Sequence, residues 1–483
     1  MKKTYNILDL LQNIMGAKLG HLIEPSKGYW SYTGTFSVTN VSRWLLTKSK
    51  RGLERFYATP HDWTSHVGLL VQSFLSRFAG VVKGFNSHWL LTVDETVEKK
   101  AGKATYGVGY HYSSKAEKVI PSVAVFNLSL THRLTKVSLP LLQEQLIFPT
   151  EKTEKQLAKK AAKKAQQIAK VLATKEVKKT GVTPSKRVST GRPKGRKNKP
   201  KNEEATKNEE IAYTFQVLGG ILDRFVQFLA PLVASLISIK YVVGDGGFGN
   251  NTVAKIVRAK GFELISKLQY NAALYLPFQG EYSGSGRPKT YGDKVQYDRL
   301  EEQLKDDLVE KRQESDGSFT HIFHIKKMIH KSFEMPLNIV ILIRFDKNGQ
   351  AKSHKSRAVL FSTDLNADYK TIMDSYHARF QIEFNFRDAR QFFGLSNFKN
   401  VKKQQVQNVI GYAFFMVALS NILIFEIKQK QPDCPISIQD LKAFFRAEKY
   451  VNELLNRDEF KQSLLLNRDA FNNFPIIGAI NAH

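Results

Sequence analysis

Three carboxylates in this chain stand where phosphoryl-transfer chemistry could use them. Asp94 closes the apolar run 89–94 (WLLTVD), and Asp245 closes 239–245 (IKYVVGD). Each reads as the C-terminal end of a short strand, at a sheet rim that ligands can approach. Gly246 and Gly247 follow Asp245 and leave the backbone open to a bulky substrate. The third acid, Glu383, lies in 376–390 (YHARFQIEFNFRDAR), where Tyr376, Arg379, Glu383, Arg387 and Arg390 recur at spacings of 3, 4, 4 and 3. At roughly 100° per residue these five share one helical stripe about 80° wide. Ala378, Ile382, Phe386, Ala389 and Phe393 form an apolar stripe beside it. Three hard oxygen donors suit Mg²⁺ or Mn²⁺ without excluding phosphate oxygens. Two such ions roughly 3.5–4 Å apart serve an in-line displacement at phosphorus.

Each acid also has a plainer explanation. A lone strand-end Asp is commonly a turn residue or a helix cap. The helical stripe could be a solvated face laced by Arg379–Glu383 and Glu383–Arg387 ion pairs. Asp364, at the end of 358–364 (AVLFSTD), is a second candidate for the third ligand, ranked below Glu383 and better suited to capping the following helix.

The elements that must position these residues follow from the pattern. Residues 1–88 are helix-like and hold three of the four Trp; within them 39–55 is a basic amphipathic segment suited either to a DNA groove or to packing. Strands are expected over 89–94, 107–112 and 120–130, a long helix over 211–236, a strand over 239–245, a helix over 250–260 and a strand over 262–267. Strands at 319–325 and 338–345 belong to a β-rich insertion, 269–357. The strand 358–363 and helices over 367–393 and 406–427 then complete the core. The expected organisation is a helical N-terminal DNA-binding domain (1–88), three core pieces (89–151, 211–268 and 358–430), a flexible basic linker (152–210), the insertion, and a C-terminal helical region (431–483). Mixed strands followed by alternating β and α imply an α/β sheet flanked by helices.

Composition points to a polyanionic partner. There are 73 Lys and Arg against 44 Asp and Glu, a formal charge of +29. Residues 152–201 alone carry 18 Lys or Arg against two Glu, and so supply +16 of it. This tract has no apolar face to bury, and its contribution to DNA affinity would come from counterion release. Within it, Arg192, Lys194 and Arg196 belong to GRPKGRK, a sequence like the minor-groove hooks of A·T-binding proteins. GRPK recurs around Arg287, though four residues match by chance easily. No signal peptide is evident at Met1, and the apolar stretches 217–243 and 411–427 carry Asp223, Arg224, Gln227, Asn421 and Glu426, which suits core helices better than membrane spans. A cytoplasmic, nucleoid-associated protein is expected. The twelve His and the single Cys show no ligand spacing.

The spacing Tyr376-x2-Arg379-x3-Glu383-x6-Arg390 resembles the signature of a large group of bacterial insertion-sequence transposases of the DDE type. That group usually ends the signature with Lys, so Arg390 departs from it while keeping the charge. VDETVEKKAGKATYGVGYHYS resembles the group's block around its first Asp, and VVGDGGFGN the block around its second. The resemblance spans about 89–427, the basic tract excepted. It implies an RNase H-like core holding two Mg²⁺ (or Mn²⁺) ions on Asp94, Asp245 and Glu383. It also implies phosphate contacts from Tyr376, Arg379 and Arg390, a dimer on double-stranded DNA, and cleavage and joining of element ends. Related proteins often carry Trp where this chain has Phe380; the resemblance implies stacking on a base displaced from the cut end, and packing under the insertion is the plainer alternative. Two rival functions fit the same residues: a DNA-binding regulator that has lost catalysis, and an RNase H-like nuclease that cuts without joining.

Overall fold

A central strand, β1 (Trp89–Lys99), is buried along most of its length and pairs on both sides. The computed structural model describes residues 7–45, 49–80, 84–102, 104–113, 117–147, 201–281, 289–350 and 356–455. After β1 come β2 (Gly109–Ser113), β3 (Lys118–His132), β4 (Ser138–Leu146), β5 (Ile239–Val243) and β6 (Glu263–Leu268). Next are β7 (Leu274–Pro277), β8 (Tyr291–Lys294), β9 (Leu308–Gln313), β10 (Phe319–His330), β11 (Leu337–Phe345) and β12 (Arg357–Ser362). Their order across the sheet is β2-β3-β1-β5-β6-β12-β11-β10-β7-β8, with β4 added on β3 and β9 on β10. The pairs β1–β5 and β5–β6 are parallel, and the other pairs are antiparallel. With its flanking helices this is the RNase H-like mixed sheet that the resemblance implies. The strands of 269–357 do not turn away from it: β11 pairs β12 from Asn338↔Ser362 to Ile343↔Arg357, so this stretch widens the same sheet.

The N-terminal helices are α1 (Ile7–Leu19), α2 (Ile23–Ser31), α3 (Val38–Ser42), α4 (Lys50–Ala58) and α5 (Trp63–Phe78). The basic segment 39–55 is therefore divided between α3 and α4 and is not one amphipathic rod. Ser37 and Ser49 cap the two pieces by accepting from the Asn40 and Gly52 N–H groups. Helix α6 (Lys201–Arg224) continues through a π-turn at Phe225–Leu229 into Ala230–Val233. Beyond β5 lie α7 (Asn251–Ala259), α8 (Tyr369–Ala378), α9 (Gln381–Phe392), α10 (Lys403–Lys430) and α11 (Ile438–Leu455).

Helix α10 is the hub. Among the described residues, 211–233 and α10 are long and apolar enough to cross a membrane, yet 89% of the most apolar stretch of α10 is buried inside the protein. An all-round apolar helix of this kind belongs in a core. Four of its polar residues have partners there. Asn408 donates to the Tyr57 and Thr59 carbonyls at 2.7 Å and accepts from Trp63 Nε1; Ser420 accepts from Trp30 Nε1 at 2.9 Å. Asn421 donates to the Ser138 carbonyl, and Glu426 faces Arg77 at 2.5 Å. Gly411 is required where α10 meets Trp63, since a Cβ would overlap the indole ring.

Strands β1 and β4 differ from expectation. Strand β1 runs five residues past Asp94, because its antiparallel pairing with β3 continues to Lys99↔Ser122. Strand β4 was not foreseen. Pro140 falls at the register irregularity of the β3–β4 pairing, where the lost N–H is tolerated.

Candidate active site

The two aspartates are brought together by strand register. In the parallel β1–β5 pair the last matched positions are Thr92 and Val243. Asp94 and Asp245 each lie two residues beyond that point on neighbouring strands, which run roughly 4.8 Å apart. Asp94 is thus mid-strand in β1, yet it stands at the rim formed by the end of β5. Asp245 caps the short turn Gly246–Phe248 by accepting from the Gly247 N–H at 2.8 Å, and its carbonyl accepts from Ser266 Oγ at 2.5 Å. Gly249 closes this turn against the Lys267 carbonyl, into which any Cβ would collide.

Glu383 comes from α9. Residues 376–390 do not form one continuous helix: α8 ends at Ala378, α9 begins at Gln381, and a tight link passes through Arg379 and Phe380. Within the link the Phe380 N–H reaches the His377 carbonyl and the Ile382 N–H the Arg379 carbonyl, both three residues back. The link turns Arg379 inward. Its Nη1 donates to Asp94 Oδ2 at 3.0 Å and its Nη2 to Glu383 Oε1 at 2.9 Å. One guanidinium therefore bridges two of the three acids. Tyr376 lies beside it, with the Arg379 guanidinium carbon 5.8 Å from the ring centre.

The electrostatics are those of crowded acids. Burial and then the neighbouring Asp245 push the Asp94 carboxyl up to about 7, against the opposing pull of Arg379 and of the Glu95 N–H. Burial also raises the Tyr376 hydroxyl, with Asp245 and Asp94 contributing and Arg379 opposing. Burial disfavours the Arg379 charge, but Asp94 and Glu383 outweigh it and hold the group above its usual value. A buried acid whose acidic neighbours add to the cost of its charge, in a set of carboxylate oxygens, fits a site for hard divalent cations.

The two other residues of the helical stripe, and Phe380 beside it, point elsewhere. Arg390 Nε donates to Glu98 Oε1 at 2.5 Å, its Nη2 bonds Thr96, and Ser396 donates to the other Glu98 oxygen at 2.8 Å. Arg387 pairs with adjacent Asp388 at 2.8 Å and lies over Phe384; it makes no ion pair with Glu383 among the described contacts. Phe380 is 48% exposed and packs edge-on against Phe384. Asp364 does not cap α8, which Asp368 caps by accepting from the Thr371 N–H. It is buried instead between Lys240 Nζ at 2.6 Å and Tyr241 Oη at 2.7 Å, which with the Asn366 N–H hold its carboxyl below the usual range despite burial. Arg192, Lys194, Arg196 and Arg287 lie outside the described residues.

Residues that the sequence did not single out fasten this arrangement. Asp94, Thr96 and Glu98 alternate along β1 and share one face, and the first and last of them are held by Arg379 and Arg390. Between those two points, Asn385 donates to Ser138 Oγ at 2.8 Å and to Ser129 Oγ at 3.2 Å, and Asn421 donates to Asn385. Ser129 bonds Asn127, the cross-strand partner of Asp94. The alternation of Thr96 and Glu98 was visible in VDETVEKK. Nothing local marks Asn385, Ser129 or Ser138.

Two family models match the chain. A family model described as DDE superfamily endonuclease matches residues 28–317, a span holding Asp94 and Asp245. A second, described as Transposase DDE domain, matches residues 222–419 and takes in Asp245 and Glu383. No curated protein matches the chain. The first match alone covers more than half of the 483 residues, and the chain belongs to the DDE superfamily of endonucleases and transposases.

Proposed function

We propose that the chain is a DNA transposase that binds the terminal inverted repeats of its element, cuts the ends and joins them to target DNA. The observation that carries this reading is the matched position of Asp94 and Asp245, two residues beyond the last β1–β5 pair, with Glu383 tied to Asp94 through Arg379. In it, Asp94, Asp245 and Glu383 would hold two Mg²⁺ or Mn²⁺ ions. Such ions, when bound, activate the attacking oxygen and stabilise the leaving one. The chain's own side chains do the rest. Arg379, released from the acids, presents a planar donor fork to a phosphate oxygen beside the scissile bond, and Tyr376 offers a hydroxyl next to it. Asp94 accepts a proton readily near neutral pH, so it can hold one until a cation displaces it. The basic tract 152–201 adds non-specific phosphate contacts, and Phe380, about half exposed, is available for stacking on an unpaired base. Pairing of two ends implies a dimer on DNA, and DNA as substrate places the protein in the cytoplasm with the nucleoid.

The test uses a donor plasmid carrying the coding region with its native flanks. Purified protein and Mg²⁺ should release a fragment and insert it into a second plasmid. Asp94→Asn, Asp245→Asn and Glu383→Gln should each abolish both steps and leave binding of the flanks intact. Cutting without insertion would favour a stand-alone nuclease, and binding without cutting a regulator. If Asp364→Asn stops cutting while Glu383→Gln does not, the assignment of the third acid is wrong.

A further inference from the structure

Away from the acidic centre, three histidines converge. His21 lies in the 3-10 turn Gly20–Leu22, His61 in the loop between α4 and α5, and His66 in the first turn of α5. One ring nitrogen of each lies within 4.8 Å of the others. The chemistry of each ring suits a ligand. His61 Nε2 is 2.8 Å from the Phe56 carbonyl. A carbonyl only accepts, so that nitrogen carries the proton and Nδ1 keeps its lone pair. A metal-binding His is typically oriented in this way, by donating its second N–H to a backbone carbonyl. His66 Nδ1 is buried without a hydrogen-bond partner, a condition that native proteins seldom leave uncompensated. Burial and the two neighbouring imidazoles drive the His66 ring down to about 4, so it is neutral at physiological pH.

We propose that His21, His61 and His66 form a second metal site, which takes a tetrahedral transition-metal ion such as Zn²⁺ and fastens the N-terminal helices together. Three imidazoles and no carboxylate select a borderline-soft ion over Mg²⁺ or Mn²⁺. A three-His set leaves the fourth tetrahedral position to water or to an incoming ligand. The exposed His21 gives the ion a way in from solvent. Aromatic walls hold the other two rings: Phe56 lies 4.4 Å from His61, and Trp63 lies 5.1 Å from His61 and 5.4 Å from His66, centre to centre. The neighbouring Asp62 adds negative charge, although its oxygens are engaged by the Ser65 N–H and hydroxyl as the cap of α5. A bound ion would tie the turn before α2 to the start of α5. It would thereby brace Trp63, which packs on α10 through Tyr412 and Asn408.

The experiment is Zn²⁺ competition against a chromophoric chelator, with the full-length chain purified without a histidine tag. An Asp94→Asn/Asp245→Asn variant serves as the background from which the acidic centre is removed. One Zn²⁺ per chain should bind in both proteins. His21→Ala and His66→Ala should each weaken that binding by at least roughly 100-fold, the upper end of what losing a mere supporting hydrogen bond costs a metal site. Co²⁺ should give the visible absorption of a tetrahedral nitrogen-ligated ion, lost in both variants. Because His21 is exposed, His21→Ala should fold whatever happens to His66→Ala, and its circular dichroism checks this. Unchanged Zn²⁺ affinity in folded His21→Ala would overturn the site. So would Zn²⁺ binding that vanishes with the two aspartates.

Discussion

Arg379 occupies the position between Asp94 and Glu383 that a cation would contest, so removing it should tighten metal binding while slowing DNA cleavage. The size of the effect follows from burial. The Arg379 and Asp94 side chains are 12% and 17% exposed, whereas Glu383 is 43% exposed. For charges about 4 Å apart, an effective dielectric near 20 gives roughly 4 kcal/mol of attraction. Desolvation of both groups consumes much of that, and the more open Glu383 contact adds little. About 1–2 kcal/mol then remains to be overcome when a metal displaces the guanidinium, a factor of roughly 5–30 in affinity. Arg379→Gln should accordingly bind Mn²⁺ about 5–30-fold more tightly, measured calorimetrically at pH 8 with Asp245→Asn as the blank. Mn²⁺ is the suitable probe because oxygen donors hold it better than imidazoles do. The same variant should cut donor plasmid more slowly at saturating metal, since it would lack the proposed phosphate contact. Mn²⁺ affinity that stays level or falls in Arg379→Gln would refute the idea that the arginine competes with the cation.

Three further outcomes follow from the same geometry. Breaking the clamp at the far end of α9 should be asymmetric: Arg390→Ala strands the 4%-exposed Glu98 and should cost about 3 kcal/mol in urea unfolding, whereas Glu98→Gln keeps the shape, leaves Arg390 access to water and should cost clearly less. Gly249→Ala drives a Cβ into the Lys267 carbonyl and should cost about 1–3 kcal/mol, with slower cleavage because the turn carrying Asp245 must shift; equal stability and rate would show that the turn gives way freely. The raised Asp94 carboxyl makes the metal-free protein lose stability as pH climbs from about 4 to about 7, because the unfolded chain gives up a proton that the folded site retains. Asp94→Asn should flatten that part of a urea-midpoint profile, and added Mg²⁺ should restore stability above pH 7 in the unmutated chain alone.

The acids of this site were legible because each follows an apolar run or sits in a spaced helical motif, both local signals. Their meeting was not legible, since it rests on a parallel register between strands about 150 positions apart. The strand β1 looked shorter than it is because Thr96 and Glu98 are polar. They are buried because Arg390 and Ser396, nearly 300 positions away, satisfy them. The break between α8 and α9 contains neither Gly nor Pro, so the five-residue stripe looked continuous. In the fold it divides into an inward pair, Tyr376 and Arg379, and the differently directed Arg387 and Arg390. The histidine cluster escaped notice for a related reason: His21 lies 40 positions from His61, and only the packing of α1, α2 and α5 brings them together.

The three attachments of α9 and its link to the sheet, two on β1 and one on β3 and β4, differ in kind, and the difference bears on how the site can work. Arg379 on Asp94 is an ion pair to an acid that a cation would claim. Asn385 on Ser129 and Ser138 is a neutral, buried set of hydrogen bonds, and Arg390 on Glu98 is an ion pair to an acid outside the rim. On the proposed reading, a cation held by the acids would therefore weaken the first attachment and leave the other two intact. Glu383 lies between the first attachment and the second, two residues from Asn385, so its backbone stays anchored while its own partner is released. A helix pinned in this way would let Arg379 turn from acid to phosphate, as proposed, without carrying Glu383 off the rim. The polar network behind α9 thus supports the site in the manner that buried second-layer hydrogen bonds support metal ligands generally.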